Sequence, residues 1–269
     1  MTREDTERFL ACVRENDLLT VRERQGIGMQ QEKLVHAVLK DYFCPDRACQ
    51  EVKLFGCIAD CFDGERVTEV QTSGFYRMRD KLDRFLSAYP VTIVHPIASV
   101  KHITWIDPET GELGRRSRSP VPGTIYDAVR ELGGIRPFLG TKGLTIRLVL
   151  LDIEEYRVKD GWDRSGKRGS HRFDRVPSAL LGETVLTDAA SYSVFLPKDL
   201  PETFTSADVQ NLSGCRRRNV SYSYLLSILT GLGVTEKLPE KRGRAFLYQR
   251  GPQYRLIENT TNTEVHYVS

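Results

Sequence analysis

The stretch Gly56-Cys57-Ile58-Ala59-Asp60-Cys61-Phe62-Asp63-Gly64-Glu65-Arg66-Val67-Thr68-Glu69-Val70-Gln71-Thr72-Ser73-Gly74-Phe75 has the form of a β-hairpin. Alternation puts Ile58, Asp60 and Phe62 on one face of a first strand and Val67, Glu69 and Gln71 on one face of a second, with Asp63-Gly64 as the turn between them. Polar groups therefore interrupt faces that should be apolar. A carboxylate set into a sheet is costly unless it is paired or binds a cation. Asp60 beside Glu69 thus points to a divalent metal held by oxygen ligands, with magnesium the expected ion and manganese its substitute.

Working outward, the hairpin is preceded by a helical run, Gln31-Glu32-Lys33-Leu34-Val35-His36-Ala37-Val38-Leu39-Lys40, whose Leu34, Val35, Val38, Leu39 and, further on, Tyr42 share one apolar face. Glu51 to Phe55 alternates and reads as an opening strand. After the hairpin, Phe75, Met78, Leu82, Phe85, Leu86 and Tyr89 recur at helical spacing over Tyr76 to Tyr89, and Val91 to Ile97 reads as a strand buried on both faces. Asp60 followed by Glu69-Val70-Gln71, in this order of helix, strands, helix and strand across residues 27 to 105, resembles the metal-binding hairpin of the PD-(D/E)XK nuclease superfamily, the restriction-endonuclease-like fold.

The resemblance implies that Asp60, Glu69 and the Val70 carbonyl hold the metal and that Glu32 assists from the first helix. Taken alone, a helix glutamate beside a lysine is a solvated one. The family's usual lysine at the third place of the E-x-K triplet is Gln71 here, whose amide hydrogen-bonds an attacking water but brings no charge. Some members of the superfamily carry glutamine or glutamate at this place, and others supply the lysine from the next helix. Lys81 is the candidate for that role, with a solvated surface lysine as the other reading. Arg77, Lys81 and Arg84 recur along that helix, either to neutralise phosphates or as an ordinary solvated face. His36 shares a face with Glu32 and, without a role from the resemblance, reads as surface or core edge.

A chain of 269 residues is long enough for two compact domains. With 40% hydrophobic and 28% charged residues the composition is globular, and a net charge of +3 permits nucleic-acid binding without requiring it. No signal-peptide pattern precedes the six cysteines at 12, 44, 49, 57, 61 and 215, so reduced thiols in the cytoplasm are expected. The spacings Cys44-x4-Cys49 and Cys57-x3-Cys61 are too irregular for zinc. No apolar run approaches the roughly 18 residues of a membrane helix, so no membrane partner is expected.

Residues 4 to 22 read as a helix, Lys101 to Ile106 as a strand, Thr124 to Leu132 as a short helix stopped by Gly133-Gly134, and Leu144 to Val158 as a long strand. Lys159 to Arg175, with Lys167 and Arg168 among its cations, reads either as a segment that wraps a nucleic-acid backbone or as a surface loop. Phe204 to Gln210 opens a short helix on a threonine or serine cap, and Leu212-Ser213-Gly214 turns. Asn219 to Leu232 forms a second helix, followed by two strands, Gly233 to Lys237 and Gly243 to Tyr248, around a tip at Pro239 to Arg242. This order resembles a winged helix-turn-helix. It implies major-groove contacts from Arg216, Arg217, Arg218, Asn219, Ser221 and Tyr222, and backbone contacts from Lys241, Arg242 and Arg244 on the wing. Winged helices also serve as protein-protein modules.

The expected fold is α/β, a restriction endonuclease-like mixed sheet flanked by helices with a C-terminal winged-helix domain. Its expected divisions are an N-terminal helical segment (1–26), a nuclease-like core with an inserted loop (27–158), a basic loop and connector (159–198), a winged helix-like domain (199–258) and a tail (259–269). The expected activity is metal-dependent hydrolysis of DNA phosphodiesters, on a double-stranded substrate, with a homodimer cutting both strands. The alternative is a nuclease-fold protein that binds or assembles on DNA without cutting it, for which Gln71 speaks. RNA is the other candidate polymer.

Overall fold

The apolar face Leu34, Val35, Val38, Leu39 and Tyr42 is buried, as its spacing requires, and it decides where the first layer of the fold sits. The computed structural model describes residues 2–23, 34–158, 171–215, 217 and 219–255, and side chains within these ranges except at 17–23 and 171–173. In chain order its elements are α1 (Arg3–Glu23), α2 (Leu34–Phe43), β1 (Gln50–Leu54), β2 (Cys57–Phe62), β3 (Val67–Val70), α3 (Arg79–Leu86), β4 (Val91–Ile106), β5 (Ser117–Arg118), α4 (Val129–Gly134), β6 (Leu144–Val158), β7 (His171–Leu186), β8 (Thr203–Phe204), α5 (Ser206–Leu212), α6 (Tyr222–Gly231), β9 (Thr235–Arg242) and β10 (Ala245–Arg250), with short 3-10 turns between several of them. The protein is mixed α/β, with a mixed sheet in the order β1-β2-β3-β4-β6-β7 and β5 added on β4, flanked by helices. A second sheet runs β8-β10-β9.

Two compact units divide these elements: Met1–Thr72 with Ile93–Thr124 and Leu148–Thr184, and Ser73–Thr92 with Ile125–Arg147 and Val185–Ser269. In the first, Phe9 of α1 and the buried face of α2 close on Val70, Val94, Val149, Leu151, Ile153 and Leu180 of the sheet. Phe9, Val38, Leu39, Val94, Val149 and Leu151 are wholly excluded from solvent, each contributing about 1.5–3 kcal/mol of burial. In the second, α6 packs on α4, α5 and β9, and Tyr126 meets the rings of Phe195 and Tyr222 at 5.9 and 5.6 Å. Thr205 caps α5 in a reciprocal box with Asp208.

Several boundaries differ from the sequence expectation, each for a physical reason. Val91 to Ile106 is one strand, not two, because Pro96 deletes a single ladder donor without ending the extended backbone. The expected connector 159–198 contains β7, so the sheet continues well past Val158. Pro177 is tolerated there because β7 is an edge strand. The tip of the β9–β10 hairpin falls at Gly243, whose φ is 63°, rather than at Pro239 to Arg242. Pro239 instead lies in the edge strand β9 next to a register shift between Phe246 and Tyr248. Gly133 and Gly134 close α4 from inside the helix, and they serve packing: a Cβ on Gly133 would stand 2.0 Å from the Tyr224 hydroxyl. The same logic applies at Gly123, whose N–H meets the carbonyls of Ala98 and Ser99 at 3.1 and 3.2 Å and whose added Cβ would lie 2.3 Å from the Ala98 oxygen. Gly123→Ala is expected to lower stability by about 2–3 kcal/mol, read as a shifted urea midpoint with unchanged far-ultraviolet circular dichroism.

The cysteines correct the expectation of reduced thiols. Cys44, just past α2, and Cys61 on β2 form a disulfide with their Cα atoms 6.1 Å apart, while Cys12, Cys49, Cys57 and Cys215 are free. The bond closes 17 residues of chain, and its reduction is expected to cost about 3 kcal/mol by releasing loop entropy to the unfolded state. Urea unfolding of the wild type with and without dithiothreitol, beside a Cys44→Ser/Cys61→Ser variant insensitive to the reagent, measures this directly.

Candidate functional site

The hairpin is set by its turn. Asp63 accepts the backbone N–H groups of Glu65 at 2.9 Å and Arg66 at 2.7 Å, and Gly64 takes a φ of 94°. Those N–H bonds, Glu65 first, hold the Asp63 carboxyl below its ordinary range. Pairing from this turn runs Phe62↔Val67 and Cys61↔Thr68, and one step on it brings Asp60 opposite Glu69. There the carboxylates occupy the backbone. The N–H of Asp60 donates to Glu69 Oε1 at 3.3 Å, and the N–H of Val70 donates to Asp60 Oδ2 at 2.8 Å. The two acids are thereby locked crosswise on adjacent strands, Glu69 at 2% exposure and Asp60 half-buried.

Helix α2 adds a third group. His36 Nε2 stands 3.2 Å from Asp60 Oδ2, so the residue left without a role in the sequence borders the acidic pair. The triplet's third member is fixed through its backbone: Gln71 N–H donates to the Val94 carbonyl at 2.9 Å, and its own carbonyl accepts from His95 Nδ1 at 2.7 Å. A carbonyl only accepts, so His95 Nδ1 carries the proton. His95 is buried at 5% exposure and holds the strand that follows Glu69 against β4. The disulfide ties the end of α2 to β2, the strand that carries Asp60.

Among the described residues, no group of three or more His, Cys, Asp or Glu side chains is arranged to hold a metal ion. Two carboxylates on facing strand residues nonetheless suit magnesium, which keeps most of its waters and takes one or two acidic ligands together with substrate phosphate oxygens. With oxygen donors and a single imidazole the set does not match a zinc site.

The remaining expected residues are distributed as follows. Glu32, Lys167, Arg168, Arg216 and Arg218 lie outside the described residues. Lys81 and Arg84 are carried by α3, and Arg77 precedes it with Nε on the Tyr76 hydroxyl at 3.0 Å; all three belong to the second unit, whereas the hairpin belongs to the first. Arg217 pairs with Asp127 at 3.4 Å and Asn219 is exposed. Ser221 is the N-cap of α6, its hydroxyl taken by the Tyr224 N–H. Tyr222 contradicts the groove-contact expectation: it is 4% exposed, 2.7 Å from the Ser213 hydroxyl, and burial pushes its phenol up to about 12. The spacing that set Tyr222 beside Ser221 is the first turn of α6, whose inner side it occupies. Lys241 faces the Phe246 ring at 4.8 Å, and Arg242 bonds Asp208 and the Thr203 carbonyl, both at 3.2 Å. Arg244 is exposed after the Gly243 turn.

Two features escaped the sequence reading. His36 and His95 gave no local signal, since each is defined by a partner on another element. Glu155 of β6 is the other: it is fully buried and bonded by Arg157 and Arg175, where an aliphatic-rich strand suggested simple packing.

A family model described as "Domain of unknown function (DUF8091)" matches residues 33–187, the span from α2 through β7. A protein of Treponema pallidum (strain Nichols), described as "Uncharacterized protein", is 30% identical over 228 residues, covering 84% of this chain and 88% of its own length. No solved structure matches.

Proposed function

The chain belongs to that family of domains of unknown function, and from the geometry of its hairpin we propose that it is a metal-dependent endonuclease of the PD-(D/E)XK kind, hydrolysing DNA phosphodiesters. The observation that carries this reading is the crosswise lock of Asp60 and Glu69, which fixes two carboxylates side by side where the hairpin meets the triplet Glu69-Val70-Gln71. Asp60, Glu69 and the Val70 carbonyl would hold a divalent cation, which would acidify water and screen negative charge on the phosphate. Gln71 orients the water through its amide while its backbone stays pinned to Val94 and His95. His36 holds Asp60 in place. In the second unit, β8, α5, α6 and the β9–β10 hairpin fit a winged helix that positions the duplex through Arg217, Asn219, Lys241, Arg242 and Arg244.

A second reading, a nuclease-fold protein that binds DNA without cutting it, is favoured by the neutral Gln71 and by the engagement of Asp60 Oδ2 with both Val70 N–H and His36. Incubation of the purified chain with supercoiled plasmid in magnesium or manganese separates the two. Nicked or linear product that disappears with chelator supports the endonuclease, and retarded but intact plasmid supports the second reading.

A further inference from the structure

The carboxylate of Glu155, 0% exposed, gathers cations from three neighbouring strands. Arg157 of β6 donates Nε to Oε1 at 2.7 Å, Arg175 of β7 donates Nε to Oε2 at 2.9 Å, and Lys101 of β4 places Nζ 3.8 Å from Oε1. Among these four side chains the balance is positive. Their positive members are not buried with the acid: Lys101, Arg157 and Arg175 keep side-chain exposures of 17%, 29% and 35%. For stability alone, such a network is no better than apolar packing of the same volume. What it does supply is fixed cationic side chains, whose ordering no longer opposes the arrival of an anion. Among the described residues, the guanidinium groups of Arg157 and Arg175 make hydrogen bonds only to Glu155. Each keeps further N–H donors in the fork geometry that matches phosphate oxygens.

The strands β4, β6 and β7 are consecutive in the sheet. Neighbouring strands lie about 4.8 Å apart, and the three side chains lean from them onto one carboxylate, so their charged groups form a compact cluster. A cluster of three cations around one acid carries a net positive charge that suits a backbone phosphate. We propose that Lys101, Arg157 and Arg175, fixed by Glu155, form a second contact site for the phosphodiester backbone of nucleic acid, separate from the Asp60–Glu69 hairpin. This rests on the nucleic-acid reading of the protein but not on cleavage.

The test is fluorescence anisotropy of the full chain with a labelled duplex oligonucleotide, in chelator so that no cutting intervenes, over a series of salt concentrations. Lys101→Gln, Arg157→Gln and Arg175→Gln are each expected to weaken binding several-fold and to flatten the slope of log affinity against log salt by about 0.9. A purely structural cation would lower the melting temperature and leave that slope alone. A duplex with uncharged methylphosphonate linkages should bind wild type and variants alike. Should a variant fail to fold, phenylglyoxal labelling of the wild type decides: DNA shields Arg157 and Arg175 if they form the site. Folded variants with unchanged affinity and slope, or equal labelling with and without DNA, overturn the proposal and leave the endonuclease reading standing. A wild type that binds no nucleic acid overturns both.

Discussion

Asp60→Asn and Glu69→Gln are each expected to reduce DNA cleavage by on the order of 10³-fold while leaving the hairpin folded, the scale seen when a preorganised electrostatic group is removed. The isosteres matter because both carboxylates do structural work. Asp60 Oδ2 accepts the Val70 N–H and Glu69 Oε1 accepts the Asp60 N–H, and an amide oxygen can accept either bond in the same place. Truncation to alanine would instead strand a buried backbone donor, which costs about 1–3 kcal/mol, and would mix loss of fold with loss of chemistry. The charge is what the amides delete, and with it the affinity for a hard divalent cation. Cleavage rates at saturating magnesium, taken beside urea midpoints, give the result: rates fall and midpoints hold. If both variants cut as fast as the wild type, the two acids are no part of a catalytic site. Gln71→Lys gives the opposite sign, since a lysine at this place adds the charge the triplet lacks and should raise the rate of an active enzyme.

The parts legible in the sequence were those encoded by local periodicity. The buried face Leu34, Val35, Val38, Leu39 and Tyr42 was readable because each residue lies three or four positions from the next, and all five are buried. Strand β6 was readable end to end because its apolar run is bounded by a glycine before it and charged residues after it. What could not be read depends on partners far along the chain. His36 gains meaning only from Asp60, 24 positions on by its number, and that contact exists because α2 packs against β3. Tyr222 looked like a recognition residue because it follows a run of arginines, yet helix phase turns it inward onto Tyr126 and Ser213. Cys44 and Cys61 have a spacing that fits no metal pattern, and only the fold shows that it fits a disulfide. The same limit explains Glu155: strand alternation puts it on the inner face, which a sequence reader fills with aliphatics, and its cations come from β4 and β7 as well as from its own strand.

Glu155→Gln is expected to remove the steepest part of the protein's acid unfolding. Burial alone would raise this carboxyl, but the hydrogen bond from Arg157, the charge and hydrogen bond of Arg175 and the charge of Lys101 outweigh it and hold the group at about 2, against an ordinary value of 4.5. Because the folded value is the lower one, the unfolded chain takes up the proton first as pH falls. The stability contributed by the ionised form is therefore complete above pH 4.5 and is lost progressively as pH approaches 2. At about 1.4 kcal/mol per unit this amounts to roughly 3 kcal/mol, reduced somewhat because the cations are partly solvated. The variant leaves three cations crowded together without their acid, so at neutral pH it should be less stable by about 3–5 kcal/mol, the usual result of breaking a buried pair from one side. Urea midpoints between pH 7 and pH 2 then converge. The wild type starts high and falls through the acid range, while the variant starts low and lacks that increment, so the two curves close on each other toward pH 2. Curves that stay parallel across the range would mean that the Glu155 charge is not what binds these strands, and that the cluster of cations is held by something other than this carboxylate.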